Sequence, residues 1–288
     1  THHIAPCYAY RDKYDNETEF EFGQRVANEL ETTIEELGSE NVMAFVAEPV
    51  VGATLGAVPA VDGYFKTIRE ICNRNGVLLI LDEVMCGMGR TGTLFAYEQE
   101  GIAPDIVCIA KGLGAGYQPI GATICTDKIY EAIKSGSGFF QHGHTYLGHP
   151  MAAAAADAVI DVLLNDNILT NVNNTGEYLK DTLHTKFAQH AHVGDIRGRG
   201  LFYGLEIVEN RDTKEPFPSS RAIARKVKSL AKEKGLLCYP MSGTVDGKKG
   251  DHVLLAPPYI INETEINNLS TLLAESLDEA IESCKVRV

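Results

Sequence analysis

The stretch VLLILDEVMCGMGRTG, residues 77–92, places charged residues directly after a strongly apolar run. Val77 to Leu81 are all apolar, which is typical of a strand inside a parallel sheet. Asp82 and Glu83 follow at once. In open α/β sheets, ligands bind beyond the carboxyl ends of the strands. The stretch therefore predicts a ligand site at the end of this strand.

Further apolar runs alternate with helical patterns along the first half of the chain. Helices are predicted over 17–38, 61–76 and 149–164, from apolar residues at helical spacing. Short apolar runs predict strands over 42–50, 105–110 and 121–126. This alternation favours an α/β fold with a mostly parallel sheet covered by helices on both faces.

After residue 164 the pattern changes. Residues 196–208 alternate like a strand with one exposed face, and 221–235 form a basic amphipathic helix. A strand over 252–260 and a closing helix capped by Asn262 complete the chain. We therefore predict two domains, a large one over 1–164 and a small α+β domain over 165–288.

Composition excludes several classes of partner. The 288 residues are 44% hydrophobic and 23% charged, with a net charge of −13. Nucleic acids and anionic membranes attract basic proteins, so we expect neither as a partner. No apolar run approaches the ~20 residues that span a bilayer. The seven cysteines lack paired spacings, which predicts reduced thiols, no metal site and a cytoplasmic location.

Three interpretations compete for the carboxylate at the strand end. Asp82 can simply cap the following loop, the usual role of a lone acid in that place. An apolar strand followed by Asp-Glu also resembles the magnesium-binding strand of nucleotide hydrolases, which need a loop of the form G-x-x-x-x-G-K-[ST]. The nearest candidate, GTVDGKK at 243–249, has the wrong spacing and lacks the hydroxyl.

The third interpretation connects Asp82 with Lys111. PDIVCIAKGLGAGYQPIGA, residues 104–122, places Lys111 just past another apolar strand and inside a glycine cluster. A lysine there is predicted to be poorly solvated, which favours its neutral, nucleophilic form. Pyridoxal phosphate needs such a lysine for a Schiff base and an acid that keeps its ring nitrogen protonated. Asp82 and Lys111 end two strands of one predicted sheet and meet both needs.

In order and separation, these motifs resemble those of class III (subgroup II) pyridoxal-phosphate aminotransferases, which have the fold-type I architecture. The matching motifs are Asp-Glu-Val, GMGRTG, the PDI strand entry and AKGLGAG. The resemblance extends over nearly the whole chain through further blocks: AEPVVGATLG at 47–56, HGHTYLGHPMAAAAA at 142–156, IRGRGLFYGLEI at 196–207 and LLAPPYII at 254–261.

The resemblance implies a role for each matching residue. Lys111 would hold pyridoxal 5′-phosphate as a Schiff base and move the substrate proton, while Asp82 would pair with the ring nitrogen. Val84 would pack on one face of the ring, and Glu48 would orient Asp82. Thr145 would bind the cofactor phosphate, in this family usually that of the neighbouring subunit. The implied assembly is a homodimer with shared active sites.

The implied reaction moves an amino group between an amine or amino acid and a keto acid or aldehyde. A lyase or racemase on the same scaffold, or a truncated non-catalytic fragment, are the alternatives. Relatives carry a long segment ahead of the residue that matches Thr1, with a phosphate loop and a ring-stacking aromatic. We therefore expect this chain to be a fragment that binds cofactor weakly alone. A targeting peptide, if the protein has one, would precede Thr1.

Two positions depart from the branch of the family that acts on ornithine or 4-aminobutyrate. That branch has a Glu and an Arg where this chain has Ala53 and Leu254. Loss of both charges argues against those substrates. A substrate carboxylate would then be bound by Arg197, by Lys248 or Lys249, or by a residue outside the chain. Bracing of the small domain is the favoured role of Arg197 and Arg199. For His142, His144 and His149, the pattern favours a packing role in a loop and a direct role equally.

Overall fold

The computed structural model describes residues 1–285 and contains both helices and strands. The helices are α1 Ala9–Asp12, α2 Glu19–Leu37, α3 Tyr64–Asn75, α4 Asp127–Ser135, α5 Pro150–Asn165, α6 Ile168–Phe187, α7 Ile223–Glu233 and α8 Glu263–Lys285. The strands are β1 Ala44–Ala47, β2 Val50–Val51, β3 Val58–Pro59, β4 Leu78–Asp82, β5 Ile106–Ile109, β6 Ala122–Cys125, β7 Val193–Arg199, β8 Phe202–Ile207, β9 Tyr239–Ser242 and β10 Asp251–Leu255.

The chain divides into two compact units, each made of several segments. The first unit contains Thr1–Pro49, Ala60–Gly89 and Thr93–Ile168. The second contains Val50–Pro59, Arg90–Gly92 and Leu169–Val288. These units are compact sets of residues rather than continuous stretches, and the predicted domains, 1–164 and 165–288, stay a prediction.

The first unit is built on a four-stranded sheet in the order β1-β4-β5-β6. Strands β1, β4 and β5 are parallel, and β6 is antiparallel to β5. Leu79 and Leu81 of β4 are fully buried and join the core formed with helices α2 and α3. The alternate residues of β4 are only half-buried. The mostly parallel sheet is therefore present, but one of its faces is covered less completely than the apolar run predicted.

Helix α2 illustrates how local sequence sets an element of this unit. Thr18 accepts a hydrogen bond from the Glu21 backbone N–H, and the Glu21 side chain accepts one from the Thr18 N–H. This capping box satisfies two N–H groups that the first turn leaves unpaired. The apolar stripe then faces the core through Phe22, Val26, Leu30 and Ile34.

The second unit contains an antiparallel sheet in the order β7-β8-β10-β9. The single strand predicted over 196–208 is in fact a hairpin of β7 and β8. Gly200, with φ of +56°, lies in its turn, a conformation that favours glycine. All residues of β8 are buried, so the predicted exposed face is wrong. The exposed face was predicted from apolar residues that alternate with glycine and polar residues. In the structure, those glycine and polar residues of β8 are buried inside the unit.

Gly204 on β8 provides a test of this packing. A Cβ atom added at Gly204 would lie 1.9 Å from the carbonyl oxygen of Gly56, which is backbone and cannot rotate away. We expect Gly204→Ala to lower the free energy of unfolding by about 1–3 kcal/mol, as overpacked sites do. Urea denaturation measures the change, with Gly143→Ala as control, because a Cβ there meets its nearest atom at 3.8 Å. Equal stability of the two variants would contradict the close approach.

Within residues 1–285, no helix combines the length and the apolar character required to cross a membrane. In the same part of the chain, no group of three or more His, Cys, Asp or Glu side chains is placed to hold a metal ion. The cysteines are free thiols in the described structure.

Candidate active site

Asp82 and Lys111 lie at the carboxyl ends of neighbouring parallel strands. Asp82 is the last residue of β4 and pairs in register with Cys108 of β5. Lys111 follows β5 three positions after Cys108, as the first residue of a short 3-10 turn, Lys111–Gly114. The structure therefore brings both predicted residues to one edge of the first unit's sheet, where α/β proteins bind ligands.

The Asp82 carboxylate lies on the less covered face of the sheet. Leu79 and Leu81 point into the core, so the alternation along β4 directs Ile80 and Asp82 to the opposite face. One carboxylate oxygen, Oδ1, accepts a hydrogen bond from the Val84 backbone N–H at 3.0 Å. This bond fixes the orientation of a half-buried carboxylate and leaves its other oxygen available for a ligand.

Lys111 differs from the prediction in its solvation. Its side chain is exposed in this chain, so the predicted poor solvation is wrong here. Lys111 lies in the turn that follows β5, as its sequence position predicts, and that turn leaves the side chain exposed. Its φ is +43°, in the left-handed region that non-glycine residues seldom adopt. Such conformations concentrate at functional sites.

The three other predicted residues occupy different surroundings. Glu48 comes directly after Ala47, the last residue of β1, and Asp82 comes directly after Leu81. Ala47 and Leu81 are paired across the parallel strands β1 and β4, so Glu48 and Asp82 occupy equivalent positions on neighbouring strands. Val84 follows Asp82 and is half-buried. Thr145 is exposed, within a stretch, 141–148, that is exposed throughout. The roles of all three stay predictions.

Glu83 is a residue whose importance the sequence did not reveal. Its side chain is fully buried, and its two carboxylate oxygens accept the backbone N–H groups of Ala96 and Tyr97, both at 2.7 Å. Burial raises the pKa of Glu83 to about 7. These bonds tie the turn after Asp82 to the segment that begins at Ala96. In the sequence, the only indication of a role for Glu83 was its position directly after the strand-end aspartate.

Arg197, a candidate for binding a substrate carboxylate, is engaged within the second unit. It is buried, and its guanidinium donates to the backbone oxygens of Gly56, at 2.9 Å, and Leu55. It also forms ion pairs with Asp195, at 2.9 Å, and Glu206, at 2.8 Å. This geometry supports the bracing role rather than a substrate contact.

The other two candidate cations lie in an exposed turn. Lys248 and Lys249 donate their backbone N–H groups to the Asp246 carboxylate, at 2.9 and 2.7 Å, while their side chains are exposed. Leu254, which the family resemblance matches to an arginine of the ornithine and 4-aminobutyrate branch, is buried in β10. Binding of a substrate carboxylate by either lysine stays a prediction.

His252 predicts a pH dependence of stability. It is fully buried, its Nδ1 lies 2.6 Å from Thr244 Oγ1, and burial together with nearby Arg197 lowers its pKa from 6.5 to about 4. Between pH 6.5 and 4 the unfolded chain therefore binds more protons than the folded one. The contribution of His252 to stability should be complete above pH 6.5 and fall on acidification, by at most ~1.4 kcal/mol per pH unit.

Urea denaturation from pH 4 to 7 measures this effect. We expect His252→Gln to show a smaller loss of stability than the parent on going from pH 6.5 to 4. His184→Gln, at an exposed position of α6, serves as the control. Parallel pH profiles for the parent and His252→Gln would show that His252 does not titrate as described.

Comparison with known proteins identifies the family of this fold. The sequence profile of the family Aminotransferase class-III matches residues 3–277. An aminotransferase of Gibberella zeae is 46% identical over 277 residues, which cover 96% of this chain and 54% of that protein. Putrescine–pyruvate aminotransferase of Pseudomonas aeruginosa is 40% identical, with coverage of 96% and 58%.

Solved structures agree with the sequence comparison. An (S)-enantioselective omega-transaminase from Thermomicrobium roseum superposes with a TM-score of 0.86 at 37% identity, covering 98% of this chain and 60% of that one. The predicted fold-type I architecture is confirmed. The chain spans somewhat over half the length of the relatives that it matches. From the matched profile, the sequence identity and the shared fold, we conclude that the chain belongs to the class-III aminotransferase family.

Proposed function

We propose that this protein is an aminotransferase that moves an amino group between an amine or amino acid and a keto acid or aldehyde, with pyridoxal 5′-phosphate as cofactor. The observation that carries the proposal is the placement of Asp82 and Lys111 at the carboxyl ends of the adjacent parallel strands β4 and β5. Membership of the class-III family, whose members are aminotransferases, supports the same reaction.

The residues present fit the cofactor. A carboxylate and a primary amine at one sheet edge match the ring nitrogen and the aldehyde of pyridoxal phosphate, and Asp82 is already oriented by the Val84 N–H. Lys111 and Asp82 would hold the cofactor, with Val84 against its ring, Glu48 beside Asp82 and Thr145 at the phosphate. When bound, pyridoxal phosphate supplies an aldehyde that condenses with amines and a ring that accepts electrons from the substrate carbon.

Each chain residue contributes in a separate way. Asp82 would keep a proton on the ring nitrogen, because a carboxylate favours the charged form of a neighbouring base. Lys111 Nζ would hold the cofactor and would move a proton between substrate atoms as a general base and acid. Glu83 anchors the turn that follows Asp82, through its bonds to Ala96 and Tyr97. The exposure of Lys111 leaves its amine accessible to the cofactor aldehyde.

The substrates belong to the proposal as well. Ala53 and Leu254 remove the charged pair of the ornithine and 4-aminobutyrate branch. The Pseudomonas relative is named for putrescine and pyruvate, a diamine donor and a keto-acid acceptor. We therefore propose primary amines as donors and a small keto acid such as pyruvate as acceptor, to be tested first.

A homodimer with shared active sites, in the cytoplasm, completes the proposal. Several large apolar side chains of the first unit are exposed near Thr145, among them Phe139, Phe140, Tyr146 and Leu147. Exposed apolar patches of this kind typically mark protein–protein interfaces. Their position in the same segment as Thr145 supports a phosphate contact made across a dimer interface.

The test has a binding part and a turnover part. The purified protein, together with any residues that its gene encodes ahead of Thr1, is incubated with excess pyridoxal phosphate, reduced with borohydride and digested, and the pyridoxyl group is expected on Lys111. A panel of amine donors with pyruvate then tests for alanine formation. Labelling of other lysines at equal yield would overturn the assignment of Lys111. Labelled protein that eliminates or racemises its substrates without making alanine would overturn transamination.

A further inference from the structure

Lys226 and Cys284 meet where helices α7 and α8 pack together in the second unit. The Lys226 ammonium, Nζ, lies 3.0 Å from Cys284 Sγ and donates a second hydrogen bond, at 3.1 Å, to Ser283 Oγ. Two contacts therefore hold the lysine nitrogen beside the sulfur. Neither residue takes part in the proposed transamination, so a nucleophilic thiol and an amine lie in contact without an assigned role.

The sulfur makes a further contact within α8. Cys284 Sγ contacts the backbone oxygen of Ala280 at 3.4 Å, and the residue is 8% exposed. Arg221 donates to the Cys284 carbonyl oxygen, which fixes the backbone at this point of α8. The Nζ–Sγ pair is thus part of a defined cluster at the edge of the helix pair, with Lys226 itself only half-buried.

We propose that Lys226 and Cys284 form a reversible covalent nitrogen–sulfur bond when the protein is oxidised by a peroxide. The inference is a modification site and does not depend on the proposed aminotransferase activity.

The chemistry takes two steps. Peroxide transfers one oxygen to Sγ, the thiol proton leaves with the other oxygen as water, and the sulfur is oxidised by two electrons to a sulfenic acid. Lys226, having released one ammonium proton to solvent, then attacks Sγ with its lone pair. The sulfur–oxygen bond breaks, and the departing hydroxide takes a second proton from nitrogen to leave as water. Two equivalents of an external thiol restore thiol and amine and become a disulfide.

Two other cysteines, Cys72 and Cys238, lie where burial disfavours oxidation. Burial raises the pKa of Cys72 and that of Cys238 to about 11, which disfavours the reactive thiolate. Cys125 is exposed and open to oxidation, so it serves as the matched control. At Cys284 the amine is already within hydrogen-bonding distance, so the second step requires little movement of a flexible side chain.

The bond would join residues that are 58 positions apart. A cross-link that closes a loop of this size restricts the unfolded chain and stabilises the folded one. Oxidation should therefore raise the melting temperature of the protein, and a thiol reductant should reverse the rise.

The experiment treats the intact 288-residue chain with hydrogen peroxide, blocks free thiols and digests it with a protease that cleaves at acidic residues. Mass spectrometry should find the Lys226 and Cys284 peptides joined, with the mass of the pair less two hydrogens, and separated again by dithiothreitol. Lys226→Arg and Cys284→Ser should each abolish the joined peptide. Cys125→Ser, the matched control, should retain it.

The two variants also control for folding. Lys226→Arg keeps the positive charge, and its reduced form should melt at the parent's temperature without the rise on oxidation. Cys284 recovered as sulfinic acid or as a disulfide, with Lys226 unmodified, would overturn the proposal. So would an equal rise in melting temperature for oxidised Lys226→Arg and oxidised parent.

Discussion

Lys111→Ala should abolish covalent attachment of pyridoxal phosphate and all amino-group transfer, while the fold stays intact. The Lys111 side chain is exposed. Its truncation therefore removes an amine but little buried surface. Without that amine the cofactor aldehyde has no covalent partner at the sheet edge. Absorption spectra before and after borohydride, followed by peptide mapping, measure the loss.

Lys128→Ala is the matched control, because Lys128 is another exposed lysine of the same unit. It should retain the parent's borohydride-reducible chromophore and its labelling of Lys111. A Lys111→Ala protein that still carried this chromophore at parental yield would show that another lysine binds the cofactor. Circular dichroism of both variants checks that the fold has not changed.

Asp82→Asn should lower turnover by at least about 100-fold. An asparagine oxygen can still accept the Val84 N–H, so the turn should survive, but the charge facing the ring nitrogen is lost. A bound cofactor would cover Asp82 and make its charge pair with the ring nitrogen a buried one, and removing one partner of a buried pair costs ~3–5 kcal/mol. Each ~1.4 kcal/mol of barrier is a factor of ten in rate. Alanine production from the best amine donor and pyruvate measures the effect.

The binding readout separates this role from a structural one. Asp82→Asn should still be labelled on Lys111 after borohydride, since the aldehyde chemistry does not need the ring-nitrogen proton. Asp62→Asn, at an exposed position, is the control and should keep parental turnover. An Asp82→Asn enzyme within about tenfold of the parent would refute the role of Asp82.

Elements with a strong local pattern were predictable from the sequence. Helix α2 follows from its apolar stripe and the Thr18–Glu21 capping box, and the start of α8 from Asn262 with Glu265, whose reciprocal bonds are present at 3.0 Å. Less distinct patterns failed. The β7–β8 hairpin looked like one strand, because the glycines that permit its turn also continue the alternation.

Local chemistry therefore determined which residues are candidates, whereas the tertiary structure decided which of them are free to act. Asp82 and Lys111 could be predicted as site residues because each directly follows an apolar run. Such a run marks a strand, and ligands bind at the carboxyl ends of parallel strands. The burial of Glu83 and the engagement of Arg197 depend on residues farther away along the chain. Arg197 contacts Gly56, which lies 141 positions away, and no local pattern encodes such a contact.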